Sequence, residues 1–123
     1  MAVHQRLVVL VVLLGSAIMP ASCLGQTASY APLNCSKASI PAEKAICGNY
    51  DLGQDEARLA TLYGLLTSLV AMGHRGDIID AQQKWIVVRN ACGSDVKCLT
   101  GAYQARTANL SRQFDALAKR GPF

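Results

Sequence analysis

Four residues that could take part in chemistry lie at helical spacing within residues 82–92. They are Gln82, Trp85, Arg89 and Cys92. Successive members are three or four residues apart, so a helix places all four on one stripe. An aromatic ring that can stack, two hydrogen-bonding groups and a thiol then face the same way. The stripe is either one wall of a ligand site or a packing surface.

Two further polar residues lie on stretches that are otherwise apolar at helical spacing. Asp55 follows Leu52 by three residues, and Arg106 follows Tyr103 by three. A charged group on a buried face needs a partner, because burial of an unpaired charge is costly. We therefore predict that Asp55 pairs with Arg89 or Arg106. The predicted polar core network is Asp55, Gln82, Arg89 and Arg106.

The competing interpretation of the same residues is a binding pocket. Trp85 would form its floor, and Tyr63 and Tyr103 would form its rim. A single aromatic residue at helical spacing lies in a core more often than it forms a sugar-stacking platform. Packing is therefore favoured over a site.

A second candidate surface is the segment around His74 and Arg75, which has Gly73 and Gly76 on either side. The two glycines predict a tight, exposed turn that ends a helix. His74 and Arg75 would then form a partner-binding loop, whose positive charge could enter an acidic cleft. The alternative is an ordinary connection between two helices.

The N-terminus predicts export. Arg6 precedes the apolar segment 7–18, which has the length of a signal-peptide core and is too short to cross a bilayer. Small residues follow, and we predict a signal peptide over residues 1–25. Cys23 leaves two possibilities: it is removed with the signal peptide, or it is the lipidated first residue of a lipoprotein. The predicted location is periplasmic or secreted, with membrane attachment only if Cys23 is lipidated.

Export leaves four cysteines in an oxidising compartment, Cys35, Cys47, Cys92 and Cys98. Four cysteines allow three pairings, and the sequence does not choose between them rigorously. Pairing of nearest neighbours is the simplest, and each short loop would contribute roughly 2–3 kcal/mol. Zinc binding is disfavoured because the chain has no C-x-x-C pair and only one His after residue 25.

The composition argues against several function classes. The formal net charge is +4 and the basic residues are dispersed, so a nucleic-acid partner is not expected. Paired cysteines and one His without an evident Ser or Cys partner give no nucleophilic site. No enzyme activity and no cofactor are therefore predicted.

The periodicity predicts an all-α, disulfide-stapled helical bundle. A short helix begins at Pro41, and longer helices begin near Asp51, Asp77 and Ser94. Short connections make the three longer helices antiparallel. The helical domain would span residues 35–118, between a flexible lead at 26–34 and a polar tail at 119–123.

The residues that carry these predictions also resemble the LprI-type family of exported bacterial proteins, over residues 35–113. The matching positions are Cys35, segment 41–47, Leu52, Asp55, Leu59, Tyr63, Leu66, Gln82, Trp85, Arg89, Cys92, Cys98, Leu99, Tyr103 and Arg106. One departure is Asn90, where an Asp commonly follows the Arg. The resemblance implies a small helical envelope protein that inhibits lysozyme, and it assigns no site residues.

Two hypotheses for the function follow. The first is an exported protein that binds and blocks a lysozyme or a related cell-wall hydrolase, which would be its protein partner. The second is an envelope structural or accessory module that binds peptidoglycan or an envelope protein and inhibits nothing.

Overall fold

The computed structural model describes residues 33–121, and every regular element in that range is helical. A single 3-10 turn, Cys35–Lys37, precedes four α-helices. They are α1 (Pro41–Gly48), α2 (Tyr50–Leu69), α3 (Met72–Ala91) and α4 (Val96–Ala118). The predicted all-α fold, with one short helix and three longer ones, is confirmed. The predicted signal peptide lies outside the described residues, as do most of the predicted lead and the last two residues of the tail.

Helix α1 begins as its sequence predicts. Pro41 occupies the first turn, where its missing N–H removes no hydrogen bond. The Glu43 carboxylate accepts hydrogen bonds from the backbone N–H groups of Ser39 (2.9 Å) and Ile40 (3.5 Å). These bonds, the one from Ser39 above all, hold the pKa of Glu43 below its usual value.

Helix α2 begins one residue earlier than predicted and with a different cap. The side chain of Asn49 accepts a hydrogen bond from the backbone N–H of Leu52 at 3.1 Å. Asn49 is therefore the N-cap of α2. Asp51, near which the sequence placed the start of the helix, lies inside the first turn near the positive end of the helix dipole.

The prediction of a loop at His74 and Arg75 was wrong. Helix α2 ends at Leu69, the chain reverses through Val70 and Ala71 in extended conformation, and α3 begins at Met72. His74 and Arg75 thus lie in the first turns of a helix. The two neighbouring glycines are accommodated there at a cost of about 1 kcal/mol each relative to Ala.

The corner between α3 and α4 depends on Gly93. Its φ of 57° is in the left-handed region, where a side chain would be strained. The backbone N–H of Gly93 donates to the Asn90 carbonyl, and Asp95 caps α4 by accepting from the N–H of Cys98 at 3.0 Å. The N-cap thus lies one residue after Ser94, near which the sequence placed the start of this helix.

Contacts between side chains fix the directions of the helices. Near one end of the bundle Glu56 of α2 meets Arg89 of α3, and near the other end Arg75 donates to the Val70 carbonyl. Helices α2 and α3 are therefore antiparallel. Arg106 of α4 reaches the Ile78 carbonyl, so α3 and α4 are also antiparallel. It follows that α2 and α4 run in the same direction.

The core lies between α2 and α4, with α1 closing one end. Its fully buried apolar residues are Ala42, Ile46, Leu52, Leu59, Leu66, Ile78, Leu99, Tyr103 and Leu110. Disulfides join Cys35 to Cys47 and Cys92 to Cys98, so nearest-neighbour pairing is confirmed. Among residues 33–121 no helix is both long and apolar enough to cross a membrane.

Candidate functional site

A buried ion pair joins α2 to α3 beside the core. The Glu56 carboxylate lies 3.8 Å from the guanidinium of Arg89, and both side chains are almost completely buried. The same carboxylate oxygen accepts a hydrogen bond from the hydroxyl of Tyr103 on α4. Burial and the negative charge of Glu56 raise the pKa of Tyr103. One carboxylate thus connects three helices.

Trp85 packs against this cluster from α3. Its ring meets that of Tyr103 edge to face, with centroids 5.2 Å apart, and the Arg89 guanidinium lies 5.6 Å from the ring centroid of Trp85. The indole N–H donates to the backbone carbonyl of Ala102 at 3.1 Å. The Trp85 side chain therefore takes part in helix packing, as the packing interpretation of the sequence expects.

The acid predicted for this network was the wrong one. Asp55 is only half-buried and pairs with the exposed Arg58, 3.2 Å away on its own helix. Glu56 takes the buried position, because it follows Leu52 by four residues and precedes Leu59 by three on the apolar stripe. A stripe with steps of three and four residues allowed either neighbour.

Asn90 contacts Arg89 directly, which was not predicted from the sequence. Its side-chain oxygen accepts from Nε (3.1 Å) and Nη2 (2.8 Å) of Arg89. Asn90, which departs from the resemblance described from the sequence, therefore serves as a neutral acceptor. The guanidinium of Arg89 is oriented from one side by Asn90 and from the other by Glu56.

Gln82 and Arg106 form a second polar contact, separate from the first. The Gln82 side-chain oxygen accepts from Nε of Arg106 at 3.0 Å. The other guanidinium nitrogens donate to the Asn109 side chain and the Ile78 carbonyl, each at 3.4 Å. Of the four residues of the predicted network, the structure thus joins Gln82 to Arg106 and joins Arg89 to an acid outside the set.

Helix α3 buries two polar side chains and exposes several apolar ones. Its buried side chains are Ile78, Gln82 and Arg89. Val88 is 61% exposed, and Val87 and Met72 are 69% and 84% exposed. An apolar surface on the outside of α3 is the feature that helical periodicity alone did not reveal.

His74 lines a groove between the start of α3 and the second half of α4. Two adjoining cavities of about 260 and 370 Å³ share His74 and Gln113 in their walls. Arg75 points elsewhere: its guanidinium donates to the Val70 carbonyl at the end of α2, and its Nε is buried without a hydrogen-bond partner. The two residues predicted as one binding loop therefore have different environments.

The described residues form a helical scaffold with an exposed apolar face on α3 and a groove at the start of that helix. All four cysteines are in disulfides and are unavailable as nucleophiles or ligands. In residues 33–121 no three His, Cys, Asp or Glu side chains are grouped closely enough to hold a metal ion. The structure defines a small disulfide-bonded helical protein that can present the exterior of α3 and the groove at its end.

Comparison with known proteins identifies distant relatives. Lipoprotein LprI of Mycobacterium bovis and the proteins of the same name in Mycobacterium tuberculosis strains CDC 1551 and H37Rv are each 30% identical to this chain over 97 residues. The match covers 75% of this chain and 46% of each relative, so the chain spans about half the length of the curated relatives it matches. No family model and no solved structure matches.

The resemblance to LprI-type proteins is thereby confirmed as a distant sequence similarity. The name of the relatives describes them as lipoproteins and does not state a binding partner.

Proposed function

We propose that this protein is exported and acts by binding another protein, a lysozyme or related cell-wall hydrolase, whose cleft it blocks. The similarity to lipoprotein LprI supports an envelope location, and the binding role without enzyme activity follows the family resemblance of residues 35–113. Export through residues 1–25, with Cys23 as the lipidation candidate, is part of this proposal.

The observation that carries the proposal is the apolar surface of α3. Met72, Ile79 and Val87 are exposed and recur at intervals of seven and eight residues. They fall within about 80° on one face of the helix, over about 22 Å. We call these three residues the α3 stripe. Exposed apolar surface with polar residues beside it is typical of a protein-binding surface.

The acidic residues beside the α3 stripe suit a basic partner, although the net charge of the protein is positive. A protein of net charge +4 gains no long-range attraction to a basic hydrolase. Asp77 and Asp80, however, are exposed on α3 next to the stripe. Glu56 is buried and therefore cannot contact a partner at this surface. A basic partner would therefore be recognised locally, by these two aspartates and the stripe.

His74 remains part of the proposed contact surface, whereas Arg75 is less suited to it. The His74 side chain is about half exposed in the first turns of α3. The Arg75 side chain is partly buried against the end of α2. Contact with a partner through Arg75 would require the loss of its bond to Val70.

The test is a lysozyme turnover assay with the oxidised protein lacking residues 1–25. Inhibition is expected at micromolar protein, and Val87→Asp should weaken it at least tenfold, because the contact would bury the new charge without a partner. Leu65→Asp is the matched control, since Leu65 is a half-exposed apolar residue on α2. Lack of inhibition across several lysozyme classes would refute the proposal.

The second hypothesis, an accessory module that binds peptidoglycan or an envelope protein, is tested in parallel. Retention on purified peptidoglycan without any inhibition of turnover would support it. The intact mass of the exported protein addresses Cys23: an added mass of the size of a diacylglycerol would show lipidation.

A further inference from the structure

The two buried arginines of the bundle have different electrostatic partners. Arg89 is 5% exposed and has the Glu56 carboxylate 3.8 Å away. Arg106 is 8% exposed, yet among residues 33–121 no carboxylate lies within 4.0 Å of its guanidinium. A buried charge without a counter-ion is expensive, so the environment of Arg106 requires an explanation.

The hydrogen bonds of Arg106 leave capacity for a ligand. A guanidinium has five N–H bonds, and Arg106 uses three of them, towards Gln82, Asn109 and the Ile78 carbonyl. All three acceptors are neutral, and two of the three distances are 3.4 Å, at the long limit of a hydrogen bond. Burial lowers the pKa of Arg106, as expected where no anion compensates its charge.

Arg106 lines the larger of the two cavities between α3 and α4. We call the two adjoining cavities together the α3/α4 groove. On α4 the groove is lined by Arg106, Asn109 and Gln113, and the Asn109 side chain accepts hydrogen bonds from both of the others. The lining continues to Leu117 and to Arg120, which lies just past the end of α4 and about 21 Å from Arg106. That length fits an extended segment of several residues.

The opposite wall of the groove is also suited to negative charge. It includes His74 and Ala71, the first residue before α3, which gives the helix no side-chain cap. The first N–H groups of α3 therefore have no side-chain partner, and the positive end of the α3 dipole lies at this wall. Asp77 is the exception, but its side chain is 82% exposed and lies 3.9 Å from His74 at the rim.

We propose that the α3/α4 groove binds a peptide that carries a carboxylate, with the carboxylate held by the guanidinium of Arg106. Arg suits this group because its planar N–H pairs match the two carboxylate oxygens. Asn109 and Gln113 are placed to bond the peptide backbone, and Val70, Ile78 and Leu117 provide apolar contacts. The proposal is independent of the α3 stripe, which lies outside the groove.

The carboxylate could be a peptide C-terminus or an acidic side chain, and simple probes separate the two. N-acetyl-Ala-Ala carries a terminal carboxylate, N-acetyl-Ala-Ala amide lacks it, and N-acetyl-Glu amide carries one on a side chain. Binding is followed by NMR through the side-chain N–H signals of Arg106, Asn109 and Gln113. For a ligand of this size, we expect the better acid to bind with a Kd of about 1 mM.

The expected result is that at least one acid binds tenfold or more tightly than the amide and shifts the Arg106 signal. Equal binding of acids and amide would overturn the proposal. Acetate that binds as tightly as the better acid would also overturn it, because contacts between the groove and the rest of the peptide would then contribute nothing beyond binding of the carboxylate.

Variants test the residues. Arg106→Gln should lose the preference for acid over amide, whereas Arg112→Gln, an exposed arginine on the same helix, should keep it. Arg106→Lys serves if Arg106→Gln does not fold: it keeps the charge and should weaken binding several-fold, because the planar pairing is lost. An unchanged preference in a folded Arg106 variant would overturn the proposal.

Asp77→Asn provides a readout that a merely structural role would not change. Removal of this negative charge at the rim should tighten the binding of the acid about twofold and leave the amide unaffected. If Asp77→Asn instead lowers the melting temperature and leaves acid binding unchanged, Asp77 is the internal counter-ion of Arg106. That outcome would overturn the proposal.

Discussion

Replacement of Glu56 by Ala should destabilise the protein far more than the same change at the adjacent Asp55. Glu56→Ala leaves Arg89 buried without a carboxylate and leaves the Tyr103 hydroxyl without its acceptor. Breaking a buried ion pair from one side costs about 3–5 kcal/mol. Because Asn90 still accepts two bonds from Arg89, the lower end of that range applies.

The unsatisfied Tyr103 hydroxyl adds about 1 kcal/mol, which gives a total loss of about 4 kcal/mol. For a domain of this size that corresponds to a fall in Tm of about 15–30 °C. Asp55→Ala breaks only a pair within one helix, in which the Arg58 side chain is exposed, and should cost about 0.5 kcal/mol. The higher helix propensity of Ala offsets part of that loss.

Thermal and urea denaturation of the oxidised proteins, followed by circular dichroism, measure these differences. Glu56→Gln should lie between wild type and Glu56→Ala, because the amide oxygen still accepts from Tyr103 but carries no charge. A double-mutant cycle with Arg89→Ala isolates the ion pair. If Asp55→Ala costs as much as Glu56→Ala, or if Glu56→Ala melts within a few degrees of wild type, the assignment of Glu56 to the buried position is wrong.

Three more outcomes are expected. Removal of the Cys92–Cys98 disulfide by a double change to Ser should cost about 2 kcal/mol in urea denaturation, as the short loop implies. The folded state holds the pKa of Glu43 below 4.5, so its contribution to stability is present above that pH and is lost as the pH falls through the lowered pKa. Glu43→Gln should therefore flatten the acid side of the stability profile, measured from pH 3 to 6. Trp85→Phe removes the bond to the Ala102 carbonyl and should cost about 1–2 kcal/mol, and a loss under about 0.3 kcal/mol would show that the bond contributes little.

The helical periodicity of the sequence was sufficient for the fold but not for the exact buried face. Steps of three and four residues from Leu52 lead to Asp55 and to Glu56, and these differ by 100° around the helix. Only the packing of α2 against Arg89 and Tyr103 decides between them. The disulfides were accessible from sequence because short loops favour nearest-neighbour pairing.

The candidate sites were less accessible, for two physical reasons. Gly73 and Gly76 signalled a turn, whereas the turn lies at Val70 and Ala71, residues without any strong turn preference. The groove is built by residues from the first half of α3 and the second half of α4, at least 25 positions apart in sequence. Neither the exposure of Val87 and Val88 nor, within residues 33–121, the absence of a carboxylate within 4.0 Å of Arg106 follows from periodicity.

Helix α3 is held unequally at its two ends, and this has a consequence for its motion. Near Ala91 it is held by the disulfide corner, the ion pair and Trp85, whereas almost all of residues 71–80 are exposed. Amide hydrogen exchange should therefore slow steadily from Met72 towards Arg89. A ligand in the groove would bind to the end that fluctuates most. Part of its contact energy would then be spent on ordering that end, so binding should extend exchange protection into the first turns of α3.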